Sequence, residues 1–257
     1  MHRLYEYMHY QLAATSCTFH RYCYDCINWN NHMLGLVGPR GVGKTTLFLQ
    51  KIKESSWGNE ALYVSAENMY FAVHSLLDVA DTFYKSGGHY LFIDEVHKYA
   101  GWSRGLKLIY DSYPDLHVYF TGSSILDIEK DEADLSRRAP RYTMQGLSFR
   151  EFLAIEHGHV FEPYSLSEII ENKAAIPGVA HPLPLFEEYL HRGYYPFGSD
   201  DDFAIELDQV VGRTLESDIP LYAGMSPATG RKLRKLMAVV STLAPFKPNM
   251  TMLASQI

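Results

Sequence analysis

Residues 34–46 read "LGLVGPRGVGKTT", an apolar run followed by a glycine-rich turn and a Lys-Thr pair. Residues 38–46 satisfy the spacing G-x-x-x-x-G-K-[ST] in full. Gly38, Gly41 and Gly43 let the backbone bend sharply and approach a ligand closely, and Pro39, Arg40 and Val42 complete the loop. The loop amides and the N-terminus of the next helix then face a phosphate group. Lys44 supplies a compact positive charge for the outer phosphates. The Thr45 hydroxyl stands where a Mg²⁺ ligand is needed, and Thr46 follows it. Glycine-rich strand-to-helix turns also occur without nucleotide. With Lys-Thr in register, the stretch reads as a loop for ATP with Mg²⁺.

Outward from this loop, short apolar runs alternate with longer amphipathic ones. Strands are expected at 34–38, 61–65, 90–94 and 117–123, with a fifth at 141–147. Helices are expected at 44–54, 71–86 and 102–113. Fully apolar strands alternating with helices imply an α/β fold, a parallel sheet covered on both faces. With the glycine loop, this is the three-layer P-loop NTPase sandwich.

After Ser148 the character changes. "SFREFLAIEHG" opens with Ser148 and Glu151 in capping-box spacing and stops at Gly158. Proline-rich loops follow, loosest at 176–186, with later helices near 203–217 and 228–242. The expected organisation is a lead-in over 1–33, the ATPase core over 34–150, a helical lid over 151–225 and an incomplete winged-helix-like segment over 226–257. The last stretch, "TMLASQI", has no obvious closing element and reads as a truncated product or a domain cut short.

A second stretch, "HYLFIDEVHKYAGW" at 89–102, ends an apolar run in two acids. Asp94 and Glu95 would project at the C-terminal edge of the sheet, where the glycine loop also opens. Asp94 suits the magnesium shell and Glu95 a water-polarising base. Taken alone, a strand end with two solvated acids would be the plainer reading. As four letters, "DEVH" suggests a helicase, but the residues after Arg150 offer no second motor sheet.

Bulk properties narrow the field. The 257 residues are 47% hydrophobic and 21% charged, ample for a packed core, and the formal charge is −7. A general nucleic-acid or membrane-surface footprint is therefore absent. No apolar run approaches the roughly 18–20 residues that span a bilayer, and the N-terminus lacks a signal-peptide core; the expected compartment is the cytoplasm. The three cysteines, Cys17, Cys23 and Cys26, are an odd number, which argues against a disulfide framework. "CYDC", with His20 and His32 nearby, has zinc-ligand spacing, although ordinary reduced thiols account for it as well.

With both motifs in place, the chain resembles a prokaryotic AAA-type ATPase of the group related to STAND signalling NTPases, over residues of about 26–219. The resemblance is carried by "INWNNHMLGLVGPRGVGKTTLFLQKIKE", "LFIDEVHKY", "WSRGLKLIYDSYPDLHVYFTGSSILDI", "DLSRRAPRYTMQGLSFREFL", "YLHRGYYPF" and "ESDIP". It implies that the fourth strand lies between the loop strand and the acidic strand. Thr121 and Ser123 at its end become sensors of the γ-phosphate or attacking water, or simply turn residues. It also implies an arginine for the transition state at Arg138, beside Arg137, acting in cis or across a subunit interface of a homo-oligomer. The alternative for these arginines is a surface turn pairing with Asp131, Glu132 and Asp134.

The chain departs from its relatives at Gly105, where they often carry an acid. It shows no convincing second sensor arginine, Arg213 being only a guess. Trp29 and His32 could border an adenine or belong to the core. Arg231, Lys232, Arg234 and Lys235 on one helical stretch could contact DNA phosphates or form a solvated helix face. The expected function is Mg-dependent ATP binding and hydrolysis that acts as a conformational switch. The alternative is a non-hydrolysing nucleotide-binding regulatory or DNA-binding module, whose DNA or protein partner would meet the C-terminal part. A kinase reading is disfavoured, because an Asp-Glu pair with a polar fourth-strand end favours water as acceptor.

Overall fold

In a computed structural model, residues 1–123, 135, 137–245 and 247–256 are described. Five parallel strands form one sheet in the order β2-β3-β4-β1-β5. They are β1 (Met33–Val37), β2 (Ala61–Ser65), β3 (Tyr90–Asp94), β4 (His117–Gly122) and β5 (Arg141–Thr143). β4 pairs with β1 on one side and with β3 on the other, as the family resemblance implied. The loop strand and the acidic strand therefore deliver their C-terminal ends to the two flanks of β4.

The strands β1 to β4 are mostly apolar because both faces are covered, while β5, Arg-Tyr-Thr, is only partly buried. On one face Leu34, Leu36, Tyr63, Phe92 and Tyr119 pack with Met8, Phe48 and Ile52. These last three belong to α1 (His2–Ala14) and α2 (Lys44–Glu54). On the other, Phe120 meets Trp102 at the start of α4 (Trp102–Ser112). There α4 packs beside α3 (Leu76–Lys85), which buries Leu76, Val79, Ala80 and Phe83 at helical spacing.

Several boundaries differ from the sequence expectation. α3 begins at Leu76 rather than near residue 71, because Ser75 and Asp78 form a capping box that fixes its start. Met69–Ala72 is a separate 3₁₀ turn. β5 stops at Thr143; the Met144 N–H still reaches the Val37 carbonyl at 2.8 Å, but the next two carbonyls turn to Arg21. The lead-in contains a full helix, α1, packed against β2, with the Tyr63 N–H directed at Met8 Sδ.

The expected capping box of α5 (Phe149–His157) is present, and Gly158 stops the helix with φ of +68°. α6 (Leu166–Ile170) and α7 (Leu183–Arg192) follow. The chain divides into two compact units, one holding the described residues up to Asp200 and the other those from Asp201 onward. The second contains α8 (Phe203–Arg213), a π-helical stretch Thr214–Asp218, α9 (Ile219–Tyr222), α10 (Pro227–Leu243) and α11 (Met250–Gln256). Asp131, Glu132 and Asp134, named above, lie outside the described residues.

Candidate functional site

The glycine loop leaves β1 and enters α2 as its spacing requires. An added Cβ at Gly38 would lie 2.0 Å from the Met144 carbonyl oxygen, so only glycine fits there. Gly41 and Gly43 have φ of +82° and +98°, the left-handed region. Gly43 is the N-cap of α2, which turns the helix N-terminus toward the loop. Lys44 is buried, and its ammonium donates to the carbonyls of Gly38 at 2.9 Å and Pro39 at 2.7 Å. Burial lowers the Lys44 pKa, and the facing charges of Glu95 and Asp94 oppose that shift.

Asp94, at the end of β3, is the hub of a hydrogen-bonded chain. Its Oδ2 accepts from the Thr45 hydroxyl at 2.8 Å and from the Tyr63 hydroxyl at 2.8 Å. Its Oδ1 accepts from the Thr121 hydroxyl. Thr121 in turn accepts from the Glu95 N–H at 2.9 Å. A single threonine on β4 thus fixes both acids. Glu95 has φ of +51°, a conformation that costs a residue with a side chain about 1–2 kcal/mol. Such an outlier persists where surrounding contacts hold it, and here the Thr121 bond does so.

The Glu95 carboxylate lies 3.2 Å from His97 Nε2 and 3.6 Å from the Arg40 guanidinium. Burial raises its pKa, with Lys44 opposing and Asp94 reinforcing the shift. The His97 side chain is wholly buried. Its Nδ1 accepts from the Ser123 N–H at 3.4 Å, and its Nε2 faces the Glu95 carboxylate. His97, given no role from sequence, thereby ties the end of β4 to Glu95.

A cleft of about 420 Å³ runs along these groups. Arg40, Gly41, Gly43, Lys44, Thr45, Thr46, Asp94 and Glu95 line it, with Tyr63, Ser65 and Glu67 from β2 and its exit. Tyr7 and Gln11 of α1 line it too, so the first helix of the chain forms part of its wall. Gly38, Pro39 and Val42 are not among its lining residues; their carbonyls accept from Lys44 and Arg21. The buried Thr121 is committed to the two acids. The oxygen donors Thr45 and Asp94 suit a hard cation, so their chemistry fits Mg²⁺.

Other residues marked in the sequence lie elsewhere. Arg138 donates to Asp111 at 3.2 Å, sits over the Tyr110 ring, and is not among the residues lining the cleft. Trp29 is half-buried and packs against Phe48 and Tyr119 at the edge of the core, and His32 packs against Tyr110. Arg234 pairs with Glu216 and Asp208, within its own unit. Arg213 lies at the end of α8 in the same unit.

Sequence reasoning missed Arg21. Its guanidinium donates to the loop carbonyl of Val42, to Gln145 and Gly146, and to Glu151 at 2.8 Å. Glu151 also accepts from the N–H groups of Tyr22 at 2.9 Å and Ser148 at 2.8 Å. Burial pushes the Glu151 pKa up, but these hydrogen bonds and the Arg21 charge outweigh it and hold the carboxyl below its usual range. The buried arginine thus braces the phosphate loop from the rear.

No curated protein matches the chain. The solved structure of C. elegans PCH-2 is similar at 15% identity and a TM-score of 0.36, covering 96% of this chain and 64% of that one. This chain therefore spans less than two thirds of that protein's length. The AAA domain family matches residues 30–153, just under half of the chain. That segment holds the glycine loop, the acidic strand end and all five strands, and over it the chain is similar to AAA domains.

Proposed function

We propose that the chain binds Mg·ATP and hydrolyses it slowly, and that the bound nucleotide biases the parts after residue 150 between two arrangements. The observation that carries this reading is the hydrogen-bonded chain Thr45–Asp94–Thr121–Glu95. It links the phosphate loop, the acidic strand and the strand between them. In this reading Lys44 and the loop amides bind the phosphates. Thr45 and Asp94 would hold Mg²⁺, which when bound neutralises phosphate charge. Glu95 takes a proton from water as the water oxygen bonds to the γ-phosphorus and the bond to the ADP oxygen breaks. Thr121 positions both acids, and Ser123, tied to His97, serves as the sensor of the γ-phosphate or attacking water. Arg138 serves a neighbouring copy. The helical-lid and winged-helix-like assignments, with any DNA or protein partner there, belong to the same proposal.

A non-hydrolysing nucleotide binder is the second reading, favoured by the pairing of Arg138 with Asp111. ATP binding and phosphate release, measured together, separate the two. Wild type should turn over. Glu95→Gln should bind and lose about 10²–10⁴-fold in turnover, the usual contribution of a positioned general base, and Lys44→Ala should lose binding. Normal turnover in Glu95→Gln removes the base assignment. Tight binding with no turnover in wild type selects the second reading.

A further inference from the structure

The zinc-like spacing in the sequence pointed to Cys23 and Cys26, with His20 and His32. The fold assembles a different set. Cys17, His20 and Glu54 each bring one ligand atom to within 4.8 Å of the other two. Cys17 and His20 lie on the segment after α1, and Glu54 is the last residue of α2, whose other end carries the phosphate loop. His20 Nε2 already stands 3.0 Å from Glu54 Oε1. The other Glu54 oxygen accepts from the Tyr24 hydroxyl at 3.0 Å, and the His20 ring packs against the same tyrosine. A carboxylate oriented by one oxygen and free to offer the other is a usual arrangement around a metal ligand.

From these contacts we infer a transition-metal site for a zinc-class divalent ion at Cys17, His20 and Glu54. Zinc takes thiolate, imidazole and carboxylate at about 2.0–2.3 Å. Tetrahedral ligands at those lengths stand about 3.3–3.6 Å apart. The His20–Glu54 distance is already shorter than this, and the 4.8 Å limit on the others requires only a small side-chain adjustment. Cys17 and His20 are half-buried while Glu54 is exposed, so water completes the fourth position. Binding converts the Cys17 thiol to thiolate and releases its proton to solvent. The soft sulfur and the imidazole separate this site from Thr45 and Asp94, whose oxygens suit magnesium.

The other thiols are placed differently. Burial raises the Cys23 pKa to about 11, which keeps that thiol protonated. Cys26 directs its sulfur at the Tyr22 carbonyl. His32 is held by the Tyr113 carbonyl and the Tyr110 ring. A metal at Cys17, His20 and Glu54 would clamp the segment after α1 to the far end of the phosphate-loop helix.

Titration of the full chain with Co²⁺, in excess Mg²⁺, tests this directly. A near-ultraviolet sulfur-to-cobalt band should grow to one equivalent and be displaced by Zn²⁺. It should vanish in Cys17→Ser, persist in Cys23→Ser and Cys26→Ser, and need at least tenfold more metal in His20→Gln. In the wild-type chain, Zn²⁺ should also protect Cys17, and not Cys26, from alkylation read by mass spectrometry. No band in wild type, a band that survives Cys17→Ser, or unprotected Cys17 overturns the site. None of these readouts depends on ATP turnover.

Discussion

Thr121 has one hydroxyl and uses it twice, donating to Asp94 and accepting from the Glu95 N–H. Thr121→Val keeps the shape of the side chain and removes both bonds. A buried polar partner left unsatisfied costs about 1–3 kcal/mol. We expect Thr121→Val to lower stability by about that much in denaturant unfolding, and to lower turnover more than nucleotide affinity. Unchanged turnover in a folded variant would remove Thr121 from the positioning chain. Glu95 gives a pH signature. Its raised pKa keeps the proton on the carboxyl to higher pH than an ordinary glutamate, for which the value is about 4.3. A base must be ionised, so turnover should fall on the acid side at a pH above that value. An acid limb at or below about 4.3 in the rate profile would contradict the buried-base reading.

At the scale of elements, the decisive joints are between segments far apart in the chain. Arg21 and Glu151 are separated by 130 residues, yet they form a buried pair behind the phosphate loop. Removing one member of such a pair leaves an uncompensated charge and costs about 3–5 kcal/mol. Arg21→Met should therefore lower unfolding stability by about that amount and weaken ATP binding through the Val42 carbonyl. The Glu151 carboxyl is held below its usual range, so its contribution is complete above the unfolded value near about 4.3. It is lost as pH falls through the lower folded value, which an acid unfolding series would reveal as a steeper loss in wild type than in Glu151→Gln. This separation also explains what the sequence made legible. β1, α2, β3 and the Asp94–Glu95 pair announce themselves through contiguous motifs and apolar runs. Arg21, Tyr7 and Gln11 acquire their places only through pairings with distant segments, and no local spacing marks them. α1 did leave a signal, since Leu4, Met8 and Leu12 recur every four residues, but a polar and aromatic surround obscured it. His97 was visible as a letter, while its link to Ser123 depended on β4 lying next to β3.

For the whole molecule, Arg138 raises the question of assembly. Bound to Asp111 of α4, it is outside the set of residues lining its own cleft. If it serves a neighbouring copy, turnover per chain should rise with protein concentration. Mixing Arg138→Ala chains with Glu95→Gln chains should then restore part of the activity that each lacks alone. Concentration-independent turnover, with no complementation, would confine the chemistry to single chains. No described helix is long and apolar enough to cross a membrane.

The strand order has a consequence for how the molecule is made. Among the described residues β1 pairs only with β4 and β5, and the partner of Met33 is Val118. At a synthesis rate of about 5–20 residues per second, roughly 80 residues of waiting leaves β1 unmatched for about 4–16 s. During that interval β2 and β3, whose register joins Ala61 to Tyr90, can zip together first. The segment that reads most plainly on paper is thus among the last to be fastened at the ribosome, and its apolar "MLGLV" is what a nascent-chain chaperone would meet.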